Sequence, residues 1–280
     1  MDIVVLIKQV PDSSEVKLDP KTGHLLREGI GAIMNPDDRH ALEAAVRLKE
    51  AHGGRIVVLS MGPAQAIDVV SEAIGMGADE AILLSDSAFA GADTWATSST
   101  LGKAIEKIGK YDLIICGRQA IDGDTAQIGP QVAEYLGLPQ VTYVFDIEAV
   151  TDGTVVVKKR LEDGYEKVQC DLPALLTVIA EVNRTRYPAI GNLIDACGEQ
   201  APIRIWNAAD IGVMTCDVGL AGSLTHVIRT FAPKGGRQAQ MLEGDTGTVV
   251  RTLLEKLREN HLVLTDPGAL SAECQEGKLS

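Results

Sequence analysis

A chain of 280 residues with 45 % hydrophobic residues is long enough for one large domain plus an appendage, or two small domains, and apolar enough for a true core. Its formal net charge of −13, with no dense Lys/Arg cluster, excludes nucleic acid and anionic membrane as partners, because both are held by clustered cations. Its five cysteines are odd in number, widely spaced and without a CxxC, which excludes a disulfide framework and a zinc site and points to reduced thiols in a cytoplasmic compartment; no apolar run approaches the ~20 residues that span a bilayer, so no membrane insertion is expected.

The apolar, β-branched run at residues 3–7 reads as a buried first strand. The polar stretch 10–35 that follows is too long for a plain connection, and long loops are where function concentrates. Asn35-Pro36-Asp37-Asp38 opens a helix to about Ala51, with Pro and Asp suited to a first turn. A second strand is expected over 55–60, then a Met61-Gly62-Pro63 turn, a helix over 64–76 and a third strand over 80–84. Asp93 caps a helix reaching Ile108, before Gly109 stops it. A fourth strand over 112–116 leads through the loop 117–124 to a helix over 125–136.

Four strand–helix repeats predict an α/β fold, a Rossmann-like parallel sheet with helices on both faces. After Pro139 the runs 141–150, 154–159 and 165–169 are separated by Asp-Gly turns and predict added antiparallel strands, with a further buried strand over 174–180. From Arg184 to Gly247 the chain reads as an irregular, extended C-terminal arm. It ends in a helix over 248–259 whose Val249, Val250, Leu253, Leu254 and Leu257 form one stripe, buried either on its own domain or on a partner subunit. Two domains are expected, 1–183 for the α/β unit and 184–280 for the arm.

In an open parallel sheet, ligands bind beyond the carboxyl ends of the strands. The loops after Ile7, Ser60 and Cys116 and the helix start at Asn35 all fall there. Within residues 117–130 (GRQAIDGDTAQIGP), backbone N–H groups at a helix start, with Thr125 and Gln127 as donors, suit a pyrophosphate or ribose phosphate, and Gly123 permits close backbone approach. The same residues also read as a tight turn and a helix capped by Asp122 or Asp124. Catalytic constellations are missing: the five His lack paired-ligand spacing, there is no GxSxG, and helix capping accounts for Asp37/Asp38 and Asp122/Asp124 better than a metal does. Neither a catalytic residue nor a metal is expected.

Taken in order, residues 5–12 (VLIKQVPD), 19–23 (DPKTG), 34–38 (MNPDD) with 41–45 (ALEAA), 61–63 (MGP), 73–79 (AIGMGAD), 117–130 and 183–187 (NRTRY) resemble the beta subunit of electron-transferring flavoproteins over essentially the whole chain. The resemblance implies a heterodimer with an alpha subunit whose FAD exchanges electrons with dehydrogenases. The beta subunit binds AMP as a structural scaffold in the ordinary branch, and in the electron-bifurcating branch a second FAD that accepts hydride from NADH. By the same resemblance Leu6 lies beside the adenosine, Asn35, Pro36, Asp37 and Asp38 line the ribose and base side, and Met61 follows the second strand. Gly117, Arg118, Gln119, Asp122, Gly123, Asp124, Thr125, Gln127 and Ile128 wrap the phosphates.

Gly123, where the AMP type carries a bulkier acidic run, is similar to the bifurcating type and leaves room for a diphosphate. The implied function is transfer of electrons from NADH to ferredoxin or flavodoxin and, through the alpha-subunit FAD, to an acyl-CoA or hydroxy-acid dehydrogenase. Tyr187 and Ile190 fall in the family's client-recognition loop, Ile190 standing where the family has a protruding Leu.

Overall fold

The computed structural model describes residues 1–12, 17–18, 25–26, 31–151, 153–198, 200–228, 240–260 and 262. In chain order come β1 (Asp2–Leu6), β2 (Gln9–Pro11), β3 (Lys17–Leu18), β4 (Leu25–Leu26), β5 (Ala32–Met34), α1 (Pro36–His52), β6 (Arg55–Met61), α2 (Ile67–Met76), β7 (Glu80–Leu84), α3 (Thr94–Ile108) and β8 (Leu113–Gly117). They are followed by α4 (Ile128–Leu136), β9 (Gln140–Thr151), β10 (Thr154–Arg160), β11 (Tyr165–Asp171), β12 (Ala174–Val178), α5 (Ile190–Ala196), β13 (Ile203–Trp206), α6 (Gly219–Gly222) and α7 (Thr246–Glu259).

Nine strands form one sheet in the order β11-β10-β9-β12-β8-β1-β6-β7-β13. Every pairing from β9 to β13 is parallel, while β10 and β11 add on antiparallel as the Asp-Gly turns predicted. The central strands are apolar on both faces because both are covered. Ile3, Val5, Ile56, Val58, Leu113 and Ile115 face Ala41, Leu42 and Ala45 of α1 and Val70 and Ala73 of α2. The alternating residues Val4, Leu6, Val57, Leu59, Ile114 and Cys116 face Leu101 and Ile105 of α3 and Val132 and Ala133 of α4. Each Ile or Leu so buried contributes about 1.5–3 kcal/mol relative to exposure.

The long polar stretch after β1 is bracketed by an antiparallel pair, Gln9–Pro11 against Ala32–Met34; most of the residues between lie outside those described. The segment expected to be irregular from Arg184 carries α5, α6 and β13, and β13 extends the sheet by pairing with β7. The chain divides into compact units at 1–227 and 228–280, so the sheet unit runs past the expected boundary at 183. In the second unit, α7 is capped by Asp245, whose Oδ1 accepts from Thr248 N–H at 3.0 Å, and its Val250, Leu253 and Leu254 are exposed. Among the described residues no helix is long and apolar enough to cross a membrane.

Candidate functional site

Chain order reverses around β1: β6 and β7 lie to one side, β8 and β12 to the other. The topological switch point therefore falls between the carboxyl ends of β1 and β8, the place where such sheets bind ligands. The parallel ladder between these strands ends at Leu6 opposite Cys116. Beyond it Ile7 N–H turns to Leu59 O at 3.0 Å and Arg118 N–H to Val178 O at 2.8 Å, toward the outer neighbours. The two amides left facing across the gap, Lys8 N–H and Gly117 N–H, both donate to Asp38, at 2.8 Å to Oδ2 and 3.0 Å to Oδ1. Asp38 is only 6 % exposed. Burial pushes its carboxyl up to about 7, although Asn35 and the two backbone N–H groups pull the other way. Gly117 is required here, since a Cβ would stand 2.4 Å from Asp38 Oδ1 and 2.7 Å from Asp37 Cβ.

The next layer belongs to Asn35, fully buried at the position preceding α1. Its Nδ2 donates to Gln119 O at 2.9 Å and its Oδ1 accepts from Ile121 N–H at 3.1 Å, while its own N–H donates to Lys8 O at 2.9 Å. The side chain is thus spent on holding the loop after β8 and does not cap α1, which Pro36 opens with acidic Asp37 and Asp38 in its first turn. Outermost, Lys8 Nζ reaches both carboxylate oxygens of Asp122 at 2.8 and 2.7 Å.

Pinned at three depths, the loop delays its helix. The expected start at Thr125 is corrected to Ile128, because Asp124 and Ala126 have φ of +55° and +54°, a left-handed conformation that a helix cannot contain. Each such non-glycine residue costs about 1 kcal/mol. Nor do Asp122 and Asp124 cap α4: Asp122 pairs with Lys8, and Asp124 Oδ1 accepts from Gln119 Nε2 while its N–H donates to Ala120 O at 2.9 Å. Gln127 occupies the cap position without a side-chain bond. The backbone N–H groups of Thr125, Ala126 and Gln127 have no acceptor among the described residues, and they run directly into the start of α4. Such a row of free donors at a helix start attracts anions. Gly129 lets that start lie against the sheet, for a Cβ would come within 2.7 Å of Thr177 Cγ2 and 2.9 Å of Cys116 Sγ. A Cβ at Gly123 meets nothing within 4 Å.

Leu6 and Met61 end neighbouring strands on the α3/α4 side of the same rim. Arg118 lies on the other flank. Its guanidinium is 5.6 Å from the Tyr143 ring centre, and its Nε, buried and without a hydrogen bond, is 3.7 Å from Asp37 Oδ2. Burial raises the Asp37 carboxyl; Arg118 and His40 offset part of this. Tyr143 itself has φ of +58° in a bulged stretch of β9, with its N–H donating to Thr177 Oγ1 at 3.2 Å.

Tyr187 and Ile190 lie elsewhere, at the start of α5, 90 % and 77 % exposed. Their loop is anchored from below. Arg186 Nε donates to Glu43 Oε2 at 2.8 Å and its Nη1 to Glu50 at 2.7 Å, and Ala189 N–H donates to Gly75 O at 2.8 Å. Burial pushes Glu43 up, but Arg186 and Arg47 outweigh it and hold its carboxyl below the ordinary Glu value.

Lys8, Tyr143 and Glu43 were not among the residues singled out from sequence. Lys8 was within reach, because it follows the first strand directly; Tyr143 and Glu43 depend on long-range packing that carries no local signal. Two clefts of about 110 and 220 Å³ lie off this rim, one at the amino ends of the strands beside Asp2 and Arg55, the other beneath Tyr187. The described residues contain no His/Cys/Asp/Glu group able to hold a metal ion.

The electron transfer flavoprotein domain family matches residues 22–211. The chain is 50 % identical over 263 residues to the electron transfer flavoprotein subunit beta of Thermoanaerobacterium thermosaccharolyticum, covering 94 % of this chain and 100 % of the relative. It is 49 % identical over 265 residues to the caffeyl-CoA reductase-Etf complex subunit CarD of Acetobacterium woodii, with coverage of 94 % and 100 %. To protein FixA of Azorhizobium caulinodans it is 45 % identical over 240 residues, covering 83 % and 85 %. A doubly wound sheet with its loops gathered at the switch point, matched along nearly its full length by these relatives, belongs to the beta-subunit family of the electron transfer flavoproteins.

Proposed function

We propose that this chain is the beta subunit of an electron-bifurcating flavoprotein and holds FAD at the rim between β1 and β8. The observation that carries the reading is the loop 117–127, stitched to β1 and α1 by Asp38, Asn35 and Lys8 while the N–H groups of Thr125, Ala126 and Gln127 stay free. These donors, extended by the start of α4, suit the phosphates of an adenylate. The space at Gly123 supports a diphosphate over a monophosphate, since glycine is required there neither by a left-handed φ nor by packing. The chemistry supplied by a bound FAD is hydride acceptance from NADH and onward transfer of single electrons, to ferredoxin or flavodoxin and, through the alpha-subunit flavin, to an acyl-CoA or hydroxy-acid dehydrogenase. The chain itself orients the cofactor; none of its side chains is assigned as a catalytic acid or base. The Acetobacterium woodii relative is a subunit of a caffeyl-CoA reductase-Etf complex, which supports a multi-subunit setting. Tyr187 and Ile190, exposed on a well-anchored loop, suit contact with the client dehydrogenase.

The test is to co-purify the chain with its alpha subunit and identify the released nucleotides by chromatography. Two FAD per heterodimer and no AMP is the expected result. One FAD and one AMP would replace bifurcation by a structural AMP scaffold.

A further inference from the structure

We propose that Asp38 is a positioning residue whose carboxylate takes the place of the missing ladder between β1 and β8, so that the rim between them is set while Asp38 is ionised and loosens when it is neutralised. The inference rests on the reading of this rim as a nucleotide site, but its structural half stands apart from it.

The geometry is specific. In a parallel sheet, alternate residues bond to alternate neighbours. Ile7 and Arg118 obey this by bonding outward to Leu59 and Val178, which leaves Lys8 N–H and Gly117 N–H pointing at one another across the gap. Two donors cannot satisfy each other, and a buried amide left unpaired is costly. Asp38 resolves the conflict with one oxygen for each amide, at 2.8 and 3.0 Å. Only an ionised carboxylate presents two full acceptors in this fork. A neutral carboxyl or a carboxamide offers one, and aims a donor at the other amide. Both amides belong to segments that carry the site: Lys8 leads to the clasp on Asp122, and Gly117 opens the loop with the free donors.

The surroundings place the switch near neutral pH. Burial raises Asp38 to about 7, and the like charge of Asp37 on the same helix adds to it. Also from α1, His40 acts on the Asp37 carboxylate, and its Nδ1 is 2.9 Å from Asn183 Oδ1. From the end of β1, the Lys8 ammonium is turned away onto Asp122. From β8 come Cys116, whose thiol burial pushes up, and Arg118, which faces Asp37.

The test uses the full-length chain. Amide resonances of Lys8 and Gly117 are followed by ¹H–¹⁵N correlation spectroscopy from pH 5.5 to 9, in the native protein, in Asp38→Asn and in His40→Gln. Both amides should shift with one shared midpoint near 7, unchanged in His40→Gln and abolished in Asp38→Asn. Separate midpoints, no titration, or a titration that survives Asp38→Asn would overturn the proposal, and the native spectra decide this even where the variant folds poorly. In parallel, FAD and AMP are titrated separately at pH 5.5 and 8.5. Affinity should fall about tenfold at the lower pH in the native chain, the equivalent of one lost charged hydrogen bond, and should be weak and flat with pH in Asp38→Asn. Native-like affinity and pH dependence in Asp38→Asn would sink the proposal. A native chain that binds neither nucleotide, while its two amides titrate together, would remove the nucleotide reading and support the bridge.

Discussion

At the scale of single residues, the site is built by side chains that serve the backbone. Asn35 is the clearest case: fully buried, it satisfies Gln119 C=O and Ile121 N–H. Asn35→Ala leaves both without a partner and should cost about 2–4 kcal/mol. Urea unfolding measures that loss, and nicking by protease within residues 117–127 would show the freed loop. Asp38 carries a pH signature of its own. Its folded value, about 7, lies above the ordinary 3.8, so the folded state holds a proton across that window that the unfolded state lacks. Burying the charge costs the fold more than its two amide bonds return, so net stability from this group is greatest at low pH, falls as pH rises toward 7, and is flat above it, although only the ionised form makes the local bridge. Asp38→Asn should remove this slope from the stability–pH curve; an unchanged slope would show another group to be its source. Gly123 tests the cofactor. With open space around a Cβ, Gly123→Asp should fold normally, yet its charge would sit beside the diphosphate, so FAD affinity should fall at least about tenfold while AMP is retained.

At the scale of elements, helix–sheet seating decides which loops stand where. α5 rests on α2 at Gly75, where a Cβ would come within 2.6 Å of Leu193 Cδ2, and the Arg186 fork ties the preceding loop to Glu43 and Glu50 of α1. Arg186→Ala leaves Glu43, 2 % exposed, with Arg47 alone, and should destabilise by about 3 kcal/mol near neutral pH. The Glu43 carboxyl lies below its ordinary value of 4.5, so this stabilisation is present above that pH and is lost as pH falls through the lowered value. Denaturation of the native and variant chains across a pH series from 7 downward should show the gap narrowing in acid, below the ordinary Glu value. The same seating explains what was legible in the sequence. Glu80–Leu84 and the Asp93-capped helix to Ile108 were readable, because burial on both faces and a local cap leave local signatures. That the loops after Ile7, Ser60 and Cys116 share one edge of the sheet was readable from the strand–helix alternation, whereas the strand order was not. The start of α4 was not, since Asn35 and Lys8 hold Asp124 and Ala126 out of the helix from positions far away in the chain. Nor was β13, four residues long with Arg204 between its apolar positions, which becomes a strand only because β7 offers a free edge.

At the scale of the whole molecule, a core-bearing stretch of chain is followed by a helix with exposed apolar residues. Both apolar clusters are drawn from residues before 219, and the sheet unit closes at Val227. In the second unit, α7 leaves Val250, Leu253 and Leu254 exposed. A helix of 14 residues is marginal in water by itself, so an exposed apolar stripe on it is best stabilised by a partner. A chain ended after Val227 should therefore keep cooperative thermal unfolding, with its midpoint within about 4 °C of full length, equivalent to less than ~2 kcal/mol for a domain of this size. It should also lose most of its association with the alpha subunit in co-purification. Recovery of the heterodimer at full yield from the shortened chain would assign assembly to the sheet unit instead, and a collapse of the unfolding midpoint would mean that the arm contributes to the core.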